Sequence, residues 1–300
     1  MSYWLLLPAL FGVLSMFMIY SYVHNHQMEI LNPSTTIQVS WYNGLGDKVF
    51  ILLPGMMKRA DEQFKPLFDT IQKYGSIDAR AYVGHGFNID QLARSVAQLA
   101  DSHVRNGKKV TIVGASIGGL VANRALRYLI DANPLLLEII MIDTPLGIKS
   151  LKNYPNWLVF LTRIFPSAPV PNFVGNLMIN KTKVGIETFT LYDKKTKYHG
   201  KSKALTSGEL NYLNIHNFST WWKQLVVIIN FEPTRLKNYI TMYVVCQSDF
   251  NHVVHQPFAS GLWKNQIRSI ILYQMPMTAH CSFDEQTTRW ESVFDSMLKN

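Results

Sequence analysis

Apolar residues follow two rhythms along most of this chain. Residues 36–41 (Thr-Ile-Gln-Val-Ser-Trp) alternate as a half-buried strand does, and Asn43-Gly44 offers a tight turn after them. The next run, Lys48-Val49-Phe50-Ile51-Leu52-Leu53, is continuous and apolar, as a strand covered on both faces must be, and it ends at Pro54-Gly55. Helical spacing over 59–74 gives way to a short strand at 78–83. A second helix is expected at 90–105, with capping residues in Asn88-Ile89-Asp90 and a stop at Asn106-Gly107. A strand at 109–113, a helix at 117–131 and a strand at 138–142 follow. Strand and helix in alternation predict an α/β fold with a mostly parallel sheet and helices on both faces.

The rhythm breaks between residues 145 and 236. Prolines, aromatic clusters such as Trp221-Trp222 and a lysine-rich stretch from Lys194 to Lys203 predict an inserted, largely helical cap. The alternation resumes with a strand at 239–245, a helix at 256–264, a strand at 268–273 and a closing helix at 284–298. A chain of 300 residues, 48% hydrophobic, suits one large core with an insertion better than two equal domains. The expected division is 1–25 a membrane anchor, 26–146 the first part of the core, 147–237 the cap and 238–300 the second part.

The anchor is expected because no charged residue occurs from Tyr3 to Val23, a run long enough to cross a bilayer as a helix. No basic residue precedes it and Ser21-Tyr22-Val23-His24 is a poor cleavage site, so the segment reads as an uncleaved single-pass helix followed by a linker at 24–33. Tyr3, Trp4, Tyr20 and Tyr22 suit interfacial belts. The first basic residue is Lys48, too distant to orient the helix; the preferred orientation is the extracytoplasmic one, leaving a short N-terminal stub inside.

Charge is uneven. The net charge is +9, and residues 147–237 hold thirteen Lys and Arg against four Asp and Glu, whereas the remainder balances sixteen against sixteen. A basic segment of this kind suits a solvated surface or an anionic membrane. Zinc-finger spacing, a basic helix leading into heptads and aromatic RNA-binding motifs are all missing, so nucleic acid is not an expected partner. Two cysteines, Cys246 and Cys281, are too few for a disulfide framework, and no H-E-x-x-H or similar spacing implies a metal.

The strongest chemical signal is Gly114-Ala115-Ser116-Ile117-Gly118, a G-x-S-x-G run between a β-branched strand and a helix. A sharp strand-to-helix turn lifts the serine oxygen clear of the sheet, and glycines two before and two after remove side chains that would collide there. In this setting the run resembles the nucleophile turn of the α/β-hydrolase superfamily, and the resemblance extends from about Trp41 to the C-terminus. That family carries an oxyanion loop after the strand preceding its first helix, often with His-Gly. Here the place holds Leu53-Pro54-Gly55-Met56-Met57; proline stands for histidine, but the donor is a backbone N–H, which Met56 supplies. Ile117, next after Ser116 at a helix N-terminus, is the second implied donor.

The family order of serine, acid and histidine implies Asp249, which follows the strand at 239–245 after Cys246-Gln247-Ser248, as the acid. Asp143, in Met141-Ile142-Asp143-Thr144-Pro145, is the fallback, with a turn-capping role the simpler expectation. His280 lies in the loop between the last strand and the last helix, in the place of the family's closing histidine, and is the implied base. His252 and His255 lie before the last strand, and His85 sits in a Gly84-His85-Gly86 turn; neither position is that of the base. Cys281 beside His280 reads as packing.

The resemblance therefore implies a serine hydrolase that forms an acyl-enzyme on Ser116 and needs no cofactor. Anchor and apolar cap point to a lipid or other hydrophobic ester. Acyl transfer or thioester cleavage with the same residues, and a binding protein that kept only the fold, are the competing expectations.

Overall fold

A computed structural model describes residues 6–56, 58–129, 137–151, 156–171, 174, 218–234, 241–247, 254, 256–266, 270–275, 280, 281, 283 and 287–298. The chain divides into two compact units.

The larger unit takes in the described residues of 34–83, 88–159 and 227–300. Its sheet has seven strands: β1 (Thr35–Tyr42), β2 (Lys48–Leu53), β3 (Gly75–Val83), β4 (Lys109–Ala115), β5 (Leu137–Ile142), β6 (Thr241–Gln247) and β7 (Ile270–Met275). They lie in the order β1-β3-β2-β4-β5-β6-β7, with β1 antiparallel to β3 and every other pairing parallel. Both faces of β2 are covered, since Val49, Phe50, Ile51, Leu52 and Leu53 are all buried, which explains its unbroken apolar sequence. One face packs Phe50, Leu52, Ile77, Val113 and Ile142 against Phe64, Ile71, Phe283, Trp290 and Phe294. Full burial of each such side chain contributes about 1.5–3 kcal/mol. Of these partners, Phe64 precedes the 310 turn at Lys65–Leu67, Ile71 lies in the short helix after it, Phe283 precedes the closing helix, and Trp290 and Phe294 lie on it.

Among the described residues the α-helices of this unit are α2 (Ala60–Gln63), α3 (Phe68–Gln72), α4 (Ile89–Arg105), α5 (Ile117–Ala125), the start of α6 (Asn156–Ile164), the end of α7 (Phe218–Asn230), α8 (Gln256–Gln266) and α9 (Thr287–Leu298). The helix expected over 59–74 is broken into α2, the 310 turn and α3, because Pro66 cannot donate to a continuous helix. Helix α4 begins as expected from its cap: the Asn88 side chain accepts the N–H groups of Asp90 and Gln91. Helix α5 ends at Ala125, earlier than expected, and tightens through turn bonds from Leu126, Arg127 and Tyr128 to carbonyls three residues back.

The smaller unit takes in the described residues of 1–33, 84–87 and 160–226. It contains α1 (Leu6–Leu31) and most of α7 (Phe218–Asn230). One expectation finds no support here and another is corrected. Among the described residues no helix is long and apolar enough to cross a membrane. Nor is 24–33 a linker: α1 continues to Leu31 and its polar residues are built into the unit. Asn25 is fully buried and its Nδ2 donates to the carbonyls of Ala168 and Val170 at 3.0 and 3.1 Å. Glu29 pairs with Lys223 Nζ at 2.9 Å and accepts from Ser167 Oγ at 3.2 Å.

Candidate active site

Strand β4 ends at Ala115 and α5 begins at Ile117, so Ser116 alone makes the turn between them. Its φ of 51° and ψ of −117° lie where L-residues are strained, a cost of about 1–3 kcal/mol that the surroundings must offset. The turn is held by the Ser116 N–H, which donates to the Ile142 carbonyl of β5 at 2.7 Å. Three glycines make room for it. A Cβ on Gly114 would strike the Gly118 backbone, one on Gly118 would strike the carbonyl oxygens of Leu53 and Pro54, and one on Gly119 would strike the Thr144 hydroxyl. The motif's glycines therefore serve close packing of β2, β4, α5 and the segment after β5.

His280 reaches Ser116 from the loop after β7. Its Nε2 lies 3.0 Å from Ser116 Oγ, a hydrogen bond in which the ring nitrogen can accept the hydroxyl proton. The opposite ring nitrogen, Nδ1, lies 3.8 Å from Asp143 Oδ2. Asp143 is fully buried, has a φ of 49° and accepts the Cys281 N–H at 2.8 Å. The sequence made Asp143 the fallback acid, with a turn cap the simpler expectation. The structure pairs Ala115 with Ile142 across β4 and β5, so the residues immediately after them, Ser116 and Asp143, stand at the same edge of the sheet. Trp263 of α8 supports this segment by donating from Nε1 to the Thr144 carbonyl at 2.9 Å. The acid expected first, Asp249, lies outside the described residues, as do His252 and His255.

The loop after β2 borders Ser116, since a Cβ built on Gly55 would sit 3.6 Å from Ser116 Cβ. Met56 follows in that loop and Ile117 opens α5. Among the described residues no acceptor takes the N–H of either one. Backbone donors without a described acceptor are groups that an anion can take up.

Cys281 is buried, with Sγ 3.9 Å from both His280 Nε2 and the Ile142 carbonyl. Burial first, and the Asp143 carboxylate second, push its thiol well above the usual range. A neutral, buried thiol is a packing group and a poor nucleophile. Ligand atoms of Asp143, His280 and Cys281 do fall within 4.8 Å of one another, a group that could hold a metal ion. Metal there would require the thiolate, the form this pocket disfavours when empty.

No described protein family matches the chain by sequence, and no curated protein is similar to it. Solved structures are similar in fold. A putative aryl esterase from Burkholderia cenocepacia superposes with a TM-score of 0.59 at 13% identity, over 86% of this chain and 93% of the other. A thermophilic esterase from Thermogutta terrifontis gives 0.56 at 13% identity, over 87% and 92%. MGS-M2, an alpha/beta hydrolase enzyme from a Medee basin deep-sea metagenome library, gives 0.52 at 12% identity, over 90% and 95%. At such identities the likeness concerns fold alone. Sheet order, strand-to-helix serine turn and these superpositions together establish that the chain has the α/β-hydrolase fold.

Proposed function

We propose that the protein is a serine hydrolase that cleaves a carboxylic ester through an acyl-enzyme on Ser116. The observation that carries this reading is the 3.0 Å contact between Ser116 Oγ and His280 Nε2 on a strained strand-to-helix turn. In the first half-reaction His280 takes the hydroxyl proton as Ser116 Oγ attacks the ester carbonyl. The tetrahedral oxyanion is held by the N–H groups of Met56 and Ile117. Collapse expels the alkoxide, which receives the proton from His280. Water then repeats the sequence on the acyl-enzyme and frees the acid.

Asp143 fills the acid's role in this reading. Its buried carboxylate faces Nδ1, where a negative charge stabilises the imidazolium that forms. Asp249, implied by the order of strands, is the alternative, and single variants of the two separate them. The substrate class in this reading is a hydrophobic ester, as the apolar sequence Trp157-Leu158-Val159-Phe160-Leu161 of the expected cap suggests.

Fluorophosphonate labelling of the folded full chain tests the reaction. Wild type is expected to label, and Ser116→Ala and His280→Ala are expected to lose labelling while keeping their melting transitions. A folded wild type that stays unlabelled overturns the proposal.

A further inference from the structure

The loop that bears Met56 lacks the histidine usual in that place and begins with a proline that has no N–H to donate. Something else must hold it. The peptide unit joining Pro54 to Gly55 is bonded at both of its polar ends by buried side chains. Tyr82 Oη, from β3, donates to the Pro54 carbonyl at 3.1 Å. Gln63 Oε1, at the end of α2, accepts the Gly55 N–H at 2.7 Å. Carbonyl and N–H belong to one planar group, so two bonds on opposite sides fix its rotation.

We propose that Tyr82 and Gln63 are positioning residues for the oxyanion loop, clamping the Pro54-Gly55 peptide so that the next amide, Met56 N–H, is held toward Ser116 before substrate arrives. This rests on the serine hydrolase reading above. Gly118 completes the clamp from the third side, because its bare Cα lets the first turn of α5 press against the Leu53 and Pro54 carbonyls. The two oxyanion donors, one on the loop and one on α5, are thereby set in a common frame. Preorganised donors stabilise a developing oxyanion without reorganising during the reaction. Tyr82 remains a donor at any working pH, since complete burial pushes its phenol well above the ordinary value. Gln63 acts through its amide oxygen, a role that a glutamate oxygen can also fill but leucine cannot.

The test is steady-state hydrolysis of p-nitrophenyl butyrate, with fluorophosphonate labelling and thermal melting, on wild type, Tyr82→Phe, Gln63→Leu, Gln63→Glu and the Tyr82→Phe/Gln63→Leu pair. Tyr82→Phe and Gln63→Leu are each expected to lower kcat about 10-fold or more with KM within about twofold, the mark of an interaction realised in the transition state. Gln63→Glu is expected to keep at least about half of the wild-type kcat, because the acceptor survives. The pair should lose less than the product of the single losses, since both bonds hold one plane. Tyr82→Phe removes a single oxygen atom and carries the test alone if Gln63→Leu does not fold. An active wild type with folded variants within about twofold of its kcat overturns the clamp, as does a Gln63→Glu loss equal to that of Gln63→Leu. A folded wild type that neither labels nor turns over the ester overturns the hydrolase reading instead.

Discussion

Asp143 Oδ2 stands 3.8 Å from Nδ1 of His280 and at the same time accepts the N–H of Cys281, the next residue along, at 2.8 Å. One buried carboxylate thus bonds the backbone of the loop that carries His280 and faces its ring. The backbone bond explains how Cys281 is held at a φ of 50°, a conformation costing about 1–3 kcal/mol in a residue that is not glycine.

Asparagine at position 143 keeps an acceptor for the Cys281 N–H and removes the charge facing His280. Asp143→Asn is therefore expected to fold and to lose about 10²–10⁴ in kcat/KM, whereas Asp249→Asn is expected to lose far less. Ester hydrolysis by the two variants decides between them, and the opposite ranking would assign the acid to Asp249.

At the serine turn, two substitutions should move stability in opposite directions. Ser116→Gly relieves the strained backbone and is expected to raise the melting temperature, by an amount equivalent to about 1 kcal/mol, while abolishing labelling. Gly118→Ala drives a methyl group into the Leu53 and Pro54 carbonyls and is expected to cost about 1–3 kcal/mol. Calorimetry of both variants checks the signs.

A pH dependence follows from Asp78 on β3, which is nearly inaccessible to solvent. Burial raises its carboxyl above the ordinary value, opposed by Arg80 at 3.2 Å and by His103 at 4.0 Å. A raised folded-state value means that the native protein holds its proton longer than the unfolded chain does. The associated stability is full below the unfolded value near 3.8 and is lost as pH rises through the folded value. Relative to Asp78→Asn, wild type should thus lose melting temperature as pH rises through the acidic range and then run parallel above it. A constant difference at every pH would count against a raised Asp78.

Local patterns in the sequence were enough for the sheet and for the turn that bears Ser116, and the family resemblance pointed to His280. The unbroken apolar run of β2 announces a strand covered on both faces, and Val49 to Leu53 are buried as that run requires. Gly114, Ser116 and Gly118 are spaced for the turn because clearance around a strand-to-helix bend is a local demand. His280 could be placed by its position after the last strand, and it does meet Ser116.

Long-range partnership was decided only in three dimensions. Whether Asp143 caps a turn or faces His280 depends on β4 and β5 pairing so that Ala115 lies beside Ile142, a register invisible in either strand alone. Asn25 and Glu29 resembled linker residues until the carbonyls of Ala168 and Val170 and the ammonium of Lys223 supplied their partners, more than 130 residues away. Gln63 and Tyr82 carry no motif, and their bonds to one peptide unit exist because α2 and β3 converge on the loop after β2. Sequence by itself determined which segments bury apolar surface and where the backbone must bend. Tertiary structure decided which polar groups meet, because a hydrogen bond needs its partner within about 3 Å and distance along the chain says nothing about that.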